Sequence, residues 1–204
     1  MKKIGIFGGV FNPPHNSHIN VAKEILKLDD NYEKIIFMPV GNNYKKPEII
    51  NAEDRYNMLK LACENQKNLE ISRLEIDQKE QFYAYQTLDE LQKQYPNHEL
   101  IFIIGTDSLK TLDTWKNLDY LLTTYSFLVY PRGNDNFSEI LNNNKPLSPY
   151  VSHINYLDAK HISDLSSTKI RNMLKDNKNI DTLIPNNVLN YIKNKKLYKN
   201  SSST

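Results

Sequence analysis

The sequence predicts an α/β protein built on a Rossmann-like, doubly wound parallel sheet. Three short apolar runs, residues 4–7, 34–39 and 100–104, have the length and composition of buried strands. Segments with helical periodicity separate these runs, and alternating strands and helices favour parallel pairing with helices on both faces. The first and third runs end at glycine, where the chain leaves the carboxyl edge of the sheet. Ligands bind at that edge in open α/β sheets, so we expect the functional residues there.

Length and composition limit the possible functions. The 204 residues are expected to form one domain over residues 1–199, followed by a disordered tail at 200–204. The net charge of +2 gives no basic surface for nucleic acid or membrane. No run approaches the roughly 20 apolar residues of a membrane span, and the N-terminus lacks the apolar stretch of a signal peptide. The one cysteine, Cys63, permits no internal disulfide, and together these features predict a cytoplasmic location.

Residues 4–18 form the unit around which the chain is organised. The strand ends at Gly8-Gly9, two prolines then force an extended turn, and the next helix begins near His15. His15 and His18 are three residues apart and therefore lie on one side of the first helical turn. Free backbone N–H groups and the helix dipole favour phosphate at such a position. The pattern predicts a phosphate site with two imidazole donors, and the alternative is two histidines that only cap a helix.

The second strand and the helix after it are less diagnostic. Strand 34–39 ends in a loop whose Lys45 and Lys46 are candidates for phosphate contacts, or equally for solvated surface lysines. A helix is predicted over residues 52–64, with Arg55 in its first turn, where the helix dipole disfavours a cation. We therefore expect Arg55 to pair with a carboxylate or a ligand phosphate. Two further elements follow, a half-exposed strand over residues 69–76 and a helix over residues 83–95.

The most apolar strand, residues 100–104, is expected at the centre of the sheet and ends at Gly105. A carboxylate directly after a central parallel strand, here Asp107, is well placed to accept hydrogen bonds from ribose hydroxyls. Asp107 is also suited to capping a helix that begins at Ser108, and the two roles are compatible. Trp115, the one tryptophan, either packs in the core or stacks on a nucleobase or pyridine ring.

A second candidate phosphate site lies near the C-terminus. Residues 126–130 and 153–157 predict the last two strands, and the polar segment 134–149 predicts a surface insertion with a short helix around residues 137–141. The run Ser166-Ser167-Thr168 then opens a helix in which Arg171 lies about one turn from the start. Hydroxyl and backbone N–H groups bind phosphate at such a helix start, and an arginine binds two oxygens at once.

Two segments resemble the signatures of the nucleotidylyltransferase superfamily. Residues 9–18 match G-x-F-x-P-x-H-x-G-H, with Ser17 in place of the second glycine, and residues 165–171 match I-S-S-T-x-I-R, with Leu165 for isoleucine. Within the superfamily, the chain to residue 199 is similar to the bacterial nicotinate-nucleotide adenylyltransferase family. It departs from that family at Asn43-Tyr44-Lys45-Lys46, which replaces Pro-Pro-His-Lys, and at Phe82-Tyr83-Ala84, which replaces Ser-Tyr-Thr.

The resemblance implies transfer of AMP from ATP to nicotinate mononucleotide, giving nicotinate adenine dinucleotide and pyrophosphate in NAD biosynthesis. Mg²⁺ is expected with ATP, and the sequence offers no cluster for a dedicated metal site. The implied catalytic residues are His15, His18 and Arg171, with His18 at the α-phosphate. The residues implied in ATP binding are Gly8, Gly9, Phe11, His15, His18, Gly105, Asp107, Ser166, Ser167, Thr168 and Arg171. Those implied in binding the mononucleotide or the leaving pyrophosphate are Asn42, Lys45, Lys46, Ala84, Tyr85, Trp115 and Arg132.

Other functions stay open at this point. Ala84 leaves nicotinamide mononucleotide as an alternative acceptor, and pantetheine-phosphate adenylyltransferases belong to the same superfamily, although they resemble this chain less. Class I aminoacyl-tRNA synthetases share the His-x-x-His spacing, but this chain is short and has no Lys-Met-Ser-Lys-Ser-like loop. A non-catalytic nucleotide sensor would keep the same phosphate sites, although binding alone would not need both histidines and Arg171. The sequence also leaves the oligomeric state open, a homodimer included.

Overall fold

The computed structural model describes residues 1–159, 162 and 165–198, so the expected tail at 200–204 lies outside the described residues. In this part of the chain, six strands pair in parallel in one sheet in the order β3-β2-β1-β4-β5-β6. The strands are β1 (Lys2–Gly9), β2 (Tyr32–Pro39), β3 (Leu69–Ile71), β4 (His98–Gly105), β5 (Ser126–Tyr130) and β6 (Ile154–Tyr156). The helices are α1 (Asn16–Leu28), α2 (Ala52–Ala62), α3 (Ala84–Gln94), α4 (Thr106–Leu109), α5 (Leu118–Thr124), α6 (Phe137–Asn143), α7 (Ser167–Lys175) and α8 (Asn186–Lys195).

The strand order confirms the predicted doubly wound sheet. The first three strands extend the sheet in one direction from β1, and the last three extend it in the other direction from β4. Strands β1 and β4 are therefore neighbours at the point where the winding reverses, with Phe7 paired to Ile103 across the ladder. In open α/β sheets the crevice beyond the carboxyl ends of these two strands is the usual ligand site.

Two apolar layers cover the two faces of the sheet. Consecutive strand residues alternate between them, so that Ile6 packs in one layer and Phe7 in the other. The layer containing Phe7 also holds residues of α1, α2, α7 and α8, whereas the layer containing Ile6 holds residues of α3, α4 and α5. Both faces of the central strands are buried, which explains why residues 100–104 are apolar without alternation.

The predicted strand over residues 69–76 is wrong beyond Ile71, where β3 ends. Ser72 still donates its backbone N–H to Phe37, but its hydroxyl accepts a hydrogen bond from the backbone of Leu74 at 3.1 Å. Such local side-chain hydrogen bonds compete with the sheet ladder and favour a turn. The turn continues as the backbone of Asp77 donates to Arg73. The edge strand is therefore only three residues long.

The segment 134–149 contains the predicted short helix, and it packs more closely on the sheet than its polar composition predicts. It contains α6 and the beginning of a 3₁₀ helix over Lys145–His153. Leu147 is completely buried in the apolar layer that contains Ile6. The ring of Phe137 stacks on that of Tyr156 in β6, with the ring centroids 4.7 Å apart. These few apolar side chains attach an otherwise polar segment to the last strand. Among the described residues, no helix has the length and apolarity needed to cross a membrane.

Candidate active site

A cavity of about 620 Å³ opens at the carboxyl ends of β1 and β4. Its size is that of a site for a nucleotide-sized ligand. The first signature segment (residues 9–18) and the second signature segment (residues 165–171) form part of its wall, together with the segments that follow β2, β3, β4 and β5. The cavity therefore lies at the reversal point of the sheet, on the carboxyl edge where the sequence predicts the functional residues.

The first signature segment places two imidazole rings at the start of α1. His15 is the N-cap residue, and His18 lies in the first turn. The two rings stack with their centroids 3.6 Å apart, and His18 alone of the two reaches the cavity wall. The backbone N–H of His15 donates to Nδ1 of His18 at 3.2 Å. Because Nδ1 accepts this bond, the neutral ring carries its proton on Nε2 and presents an N–H donor elsewhere.

Burial keeps both histidines neutral. It lowers the pKa of His15 to about 3 and that of His18 well below its usual value, with the charge of Arg132 lowering both further. Both ring nitrogens of His15 are buried without a hydrogen-bond partner among the described residues. Neutral imidazoles in this state donate hydrogen bonds but add no positive charge of their own, and a buried unpaired nitrogen favours binding of a polar group.

The second signature segment contributes a buried guanidinium. Arg171 lies on α7 and is only 8% exposed. Its Nη1 donates to the carbonyl of Asn12 at 3.0 Å, and its Nη2 contacts Thr168 Oγ1 at 3.3 Å and Glu48 Oε2 at 3.4 Å. Its Nε is buried with no partner in the described part of the chain. Arg171 thus holds a fixed position at the cavity wall while part of its donor capacity stays unused.

Direct hydrogen bonds join the two signature segments. Besides the bond from Arg171 to Asn12, the Ser167 hydroxyl donates to the carbonyl of Pro13 at 2.8 Å. The hydroxyl of Ser166 instead caps α7 by accepting from the backbone of Lys169 at 3.2 Å. The starts of α1 and α7 therefore lie side by side, so that two helix N-termini and Arg171 serve one cavity.

The loop after β4 forms the other side of the cavity. A Cβ on Gly105 would collide with the carboxylate of Asp107 and with the side chain of Arg132, so only glycine allows these two groups to approach. Asp107 lies in the first turn of α4, where a carboxylate is favoured. Trp115 is half-buried, with its ring edge-on to Phe102 at 6.0 Å and with the cavity beside it. Both expected environments of Trp115, the core and the cavity, are therefore present.

Comparisons with known proteins identify the family. The cytidylyltransferase-like family model matches residues 6–173, which include both signature segments. A probable nicotinate-nucleotide adenylyltransferase of Clostridium acetobutylicum is 40% identical over 202 residues, covering 97% of this chain and all of that protein. The chain belongs to the nicotinate-nucleotide adenylyltransferase family. A probable family member of Endomicrobium trichonymphae is 39% identical over 200 residues, again covering its full length and 98% of this chain.

Solved structures show that family members share the fold. A nicotinic acid mononucleotide adenylyltransferase of Plasmodium falciparum, complexed with NaAD, superposes with a TM-score of 0.78 at 22% identity. The match covers 97% of this chain and 98% of that one. A second structure of that enzyme, complexed with APC, gives a TM-score of 0.72 at 21% identity. At this level of identity, the likeness concerns the arrangement of sheet and helices.

Most of the predicted site residues line the one cavity. Those at its wall are Gly8, Gly9, Phe11, His18, Lys46, Ala84, Gly105, Asp107, Trp115, Arg132, Ser166, Ser167, Thr168 and Arg171. Four others lie elsewhere. His15 is covered by its neighbours, and Lys45 points from an exposed loop. Asn42 accepts from the backbone of Ala52 at 2.7 Å and so helps to cap α2, while Tyr85 packs against Tyr83 and Tyr120.

The prediction for Arg55 is wrong in the nature of its partner. The side chain is completely buried and donates to the backbone carbonyls of Val10, Val40, Gly41 and Ile50, not to a carboxylate or a ligand. The bond to Val10 links the loop after β1 to the loop after β2. Arg55 therefore holds together two loops that line the cavity, without lining it itself.

Three polar residues at or beside the cavity, Asn12, Glu48 and Glu75, are not among the site residues predicted from the sequence. Asn12 donates to the carbonyl of Glu48 at 2.9 Å and accepts from the Tyr198 hydroxyl at 2.8 Å. Glu48 itself pairs with Arg171 and Lys175. Glu75 reaches the cavity through the turn that follows β3. Asn12 lies inside the first signature segment and could have been found there, whereas the positions of Glu48 and Glu75 depend on contacts between distant loops. In the described residues, no three His, Cys, Asp or Glu side chains are grouped as a metal site.

Proposed function

We propose that this chain transfers AMP from ATP to nicotinate mononucleotide, releasing pyrophosphate and forming nicotinate adenine dinucleotide in NAD biosynthesis. The observation that carries the proposal is the junction of the two signature segments. The hydrogen bonds from Arg171 to Asn12 and from Ser167 to Pro13 bring two helix N-termini and a buried arginine to one cavity. This chain also matches relatives that are named for this reaction over their full length, which supports the same function.

The reaction needs positioning and charge stabilisation more than proton transfer. An oxygen of the mononucleotide phosphate forms a bond to the α-phosphorus of ATP, and the bond from that phosphorus to the bridging oxygen of pyrophosphate breaks. The attacking phosphate has a second pKa near 6, so it is already ionised at neutral pH and needs no general base. The two neutral histidines suit this chemistry because the enzyme has only to align the groups and stabilise the developing charge.

Each part of the cavity wall has a role in the proposal. His18 donates its Nε2–H to the α-phosphate in the transition state, and Arg171 holds the leaving pyrophosphate with the start of α7 and Lys46. Asp107 accepts hydrogen bonds from the ATP ribose. Trp115 stacks on the pyridine ring, and Arg132 contacts the mononucleotide. Mg²⁺ enters with ATP as part of the substrate, held by phosphate oxygens and water.

The substrates of the proposed reaction indicate where it takes place. ATP and pyridine nucleotides are metabolites of the cytoplasm, and we place the reaction there.

The test is pyrophosphate release from MgATP with nicotinate mononucleotide, nicotinamide mononucleotide and phosphopantetheine in parallel. Turnover with the nicotinate compound above the other two is expected. Turnover with phosphopantetheine alone would assign the chain to a different enzyme class. ATP binding without turnover of any acceptor would favour the nucleotide sensor.

A further inference from the structure

We propose that Glu75 recognises the substituent on the pyridine ring of the mononucleotide. It would thereby set the preference between nicotinate mononucleotide, the acid, and nicotinamide mononucleotide, the amide. In this assignment, a protonated Glu75 donates a hydrogen bond to a pyridine carboxylate, and an ionised Glu75 accepts one from a pyridine carboxamide. The inference rests on the proposed function and deepens it.

The location of Glu75 carries the first step. Glu75 lines the cavity together with Ala84 and with Trp115, the residue assigned to the pyridine ring. Its Oε1 accepts from the hydroxyl of Thr87 at 2.6 Å. Thr87 is bonded through its backbone N–H to the carbonyl of Tyr83, the N-cap residue of α3, at 3.1 Å. The carboxyl group is therefore within one helical turn of the segment 82–84, where this chain departs from its relatives' usual sequence.

The position of Glu75 is fixed by its surroundings. A Cβ on Gly41 would collide with the carbonyl of Glu75, so the turn after β3 packs closely against the loop after β2. Thr87 holds Oε1, and it supplies the one hydrogen bond that the carboxyl group receives from the described residues. Oε2 is left for a ligand at the cavity wall.

The electrostatic surroundings make Glu75 sensitive to the ligand. Burial raises its pKa to about 7, although the Thr87 hydrogen bond and the charge of Arg55 both lower it. A second carboxylate brought close would raise this pKa further, because two such groups share one proton more readily than they ionise together. The other charged or titratable residues around the cavity are His18, Tyr44, Lys46, Tyr83, Asp107, Lys116, Tyr130, Arg132 and Arg171.

The protonation state of Glu75 sets the direction in which the preference between acid and amide changes with pH. Below a pH of about 7, Glu75 carries a proton and donates to the carboxylate of nicotinate, so the acid is favoured. Above that pH, Glu75 is ionised and repels the carboxylate but accepts from the amide nitrogen of nicotinamide. The ratio of kcat/KM for the acid to kcat/KM for the amide therefore falls as pH rises.

The experiment measures this ratio between about pH 6 and about pH 9 in the wild type and in Glu75→Gln. The ratio cancels titrations that the two reactions share, including that of the substrate phosphate. A hydrogen bond to a charged group corresponds to about tenfold to a hundredfold in the ratio. We expect a fall of that size in the wild type and a constant ratio in Glu75→Gln, whose amide does not titrate and can either donate to the acid or accept from the amide. Glu80→Gln, at an exposed position outside the cavity wall, is the matched control and should behave as the wild type.

Thr87→Val provides an independent readout. It removes the hydroxyl whose hydrogen bond lowers the Glu75 pKa, so the midpoint of the change should move to higher pH. A purely structural role for Glu75 would not move this midpoint. A ratio that is constant in the wild type, or that changes equally in Glu75→Gln, would overturn the assignment. Absence of turnover with both mononucleotides would overturn the proposed function and this inference with it.

A wild-type measurement covers the case in which Glu75→Gln fails to fold. Calorimetric titrations near pH 8, in buffers of different ionisation enthalpy, count the protons taken up with each mononucleotide. The nicotinate compound should take up more protons than the nicotinamide compound, because Glu75 must be protonated to accept it. Equal proton uptake would contradict the inference.

Discussion

Two buried arginines, each in the first turns of a helix, differ in how completely their donors are used. Arg55 on α2 donates to four backbone carbonyls, whereas Arg171 on α7 bonds one carbonyl, one hydroxyl and one carboxylate. The Nε of Arg171 has no partner within the described part of the chain. Arg171 lines the cavity, and Arg55 lies behind it.

The difference separates a structural arginine from one with capacity for a ligand. Burial lowers the pKa of Arg55 to about 10, yet the group stays charged at neutral pH because the carbonyls around it replace water. A guanidinium whose N–H donors are already engaged by carbonyls has few left to donate to a phosphate. One that is fixed by a carbonyl and shares its remaining donors with an exposed carboxylate can exchange that carboxylate for phosphate oxygens.

The largest effect is expected for Arg55→Met, in the free energy of unfolding. The change removes a donor from four carbonyls near the loop after β1 and the loop after β2, and it should cost about 3–5 kcal/mol. Of these four carbonyls, only that of Gly41 keeps another donor among the described residues, the backbone N–H of Tyr44. Urea unfolding at constant m-value measures the loss. Lys60→Met, at an exposed position on the same helix, should change stability little. A loss for Arg55→Met no greater than that of the control would remove the structural role.

Arg171→Met should act on the reaction more than on stability. Loss of an arginine that stabilises transferring phosphate groups typically costs at least ~10³ in rate. Stability should fall by less than in Arg55→Met, because only one backbone carbonyl loses its donor. The measurements are kcat/KM for ATP and the urea midpoint, with Lys169→Met on the exposed face of α7 as the control. A variant that loses stability but keeps its rate would make the two arginines equivalent.

His18→Ala should lower kcat by ~10²–10³, the usual effect of removing one donor to a transition-state oxyanion. The ring has its Nδ1 fixed by the backbone of His15, so its remaining N–H is oriented in advance of binding. Steady-state kinetics with folding checked by circular dichroism measure the loss, and Lys23→Ala on the exposed side of α1 is the control. A loss below about tenfold would remove His18 from the catalytic role and leave Arg171 as the principal donor.

Local patterns in the sequence predict the centre of this molecule well. Apolar runs, glycine turns and hydroxyl residues before a helix are short-range signals, and they place β1, β4 and the two signature segments correctly. The partners of Arg55 are not predictable in this way, because they are carbonyls of loops up to 45 residues distant in sequence. The strand β3 ends at a turn in which the Ser72 hydroxyl accepts a backbone hydrogen bond, and the residues after that turn bring Glu75 to the cavity. Long-range loop contacts therefore decide which polar groups surround the chemistry.

The smallest effect is expected for Glu48→Gln, which tests why Arg171 has a carboxylate partner at all. Glu48 is exposed, and pairing with Lys175 and Arg171 holds its pKa below the usual range. Because its carboxylate occupies the arginine that we assign to pyrophosphate, ATP must compete with it. Removing the charge should lower the KM for ATP by about twofold to fivefold, the range of a surface ion pair, with kcat unchanged. Glu53→Gln, which breaks an exposed pair with Arg73 outside the cavity wall, should leave that KM unchanged. A higher KM in Glu48→Gln would mean that Glu48 orients Arg171 for ATP instead of competing with it, and the donors of Arg171 would then be as fully committed to the fold as those of Arg55.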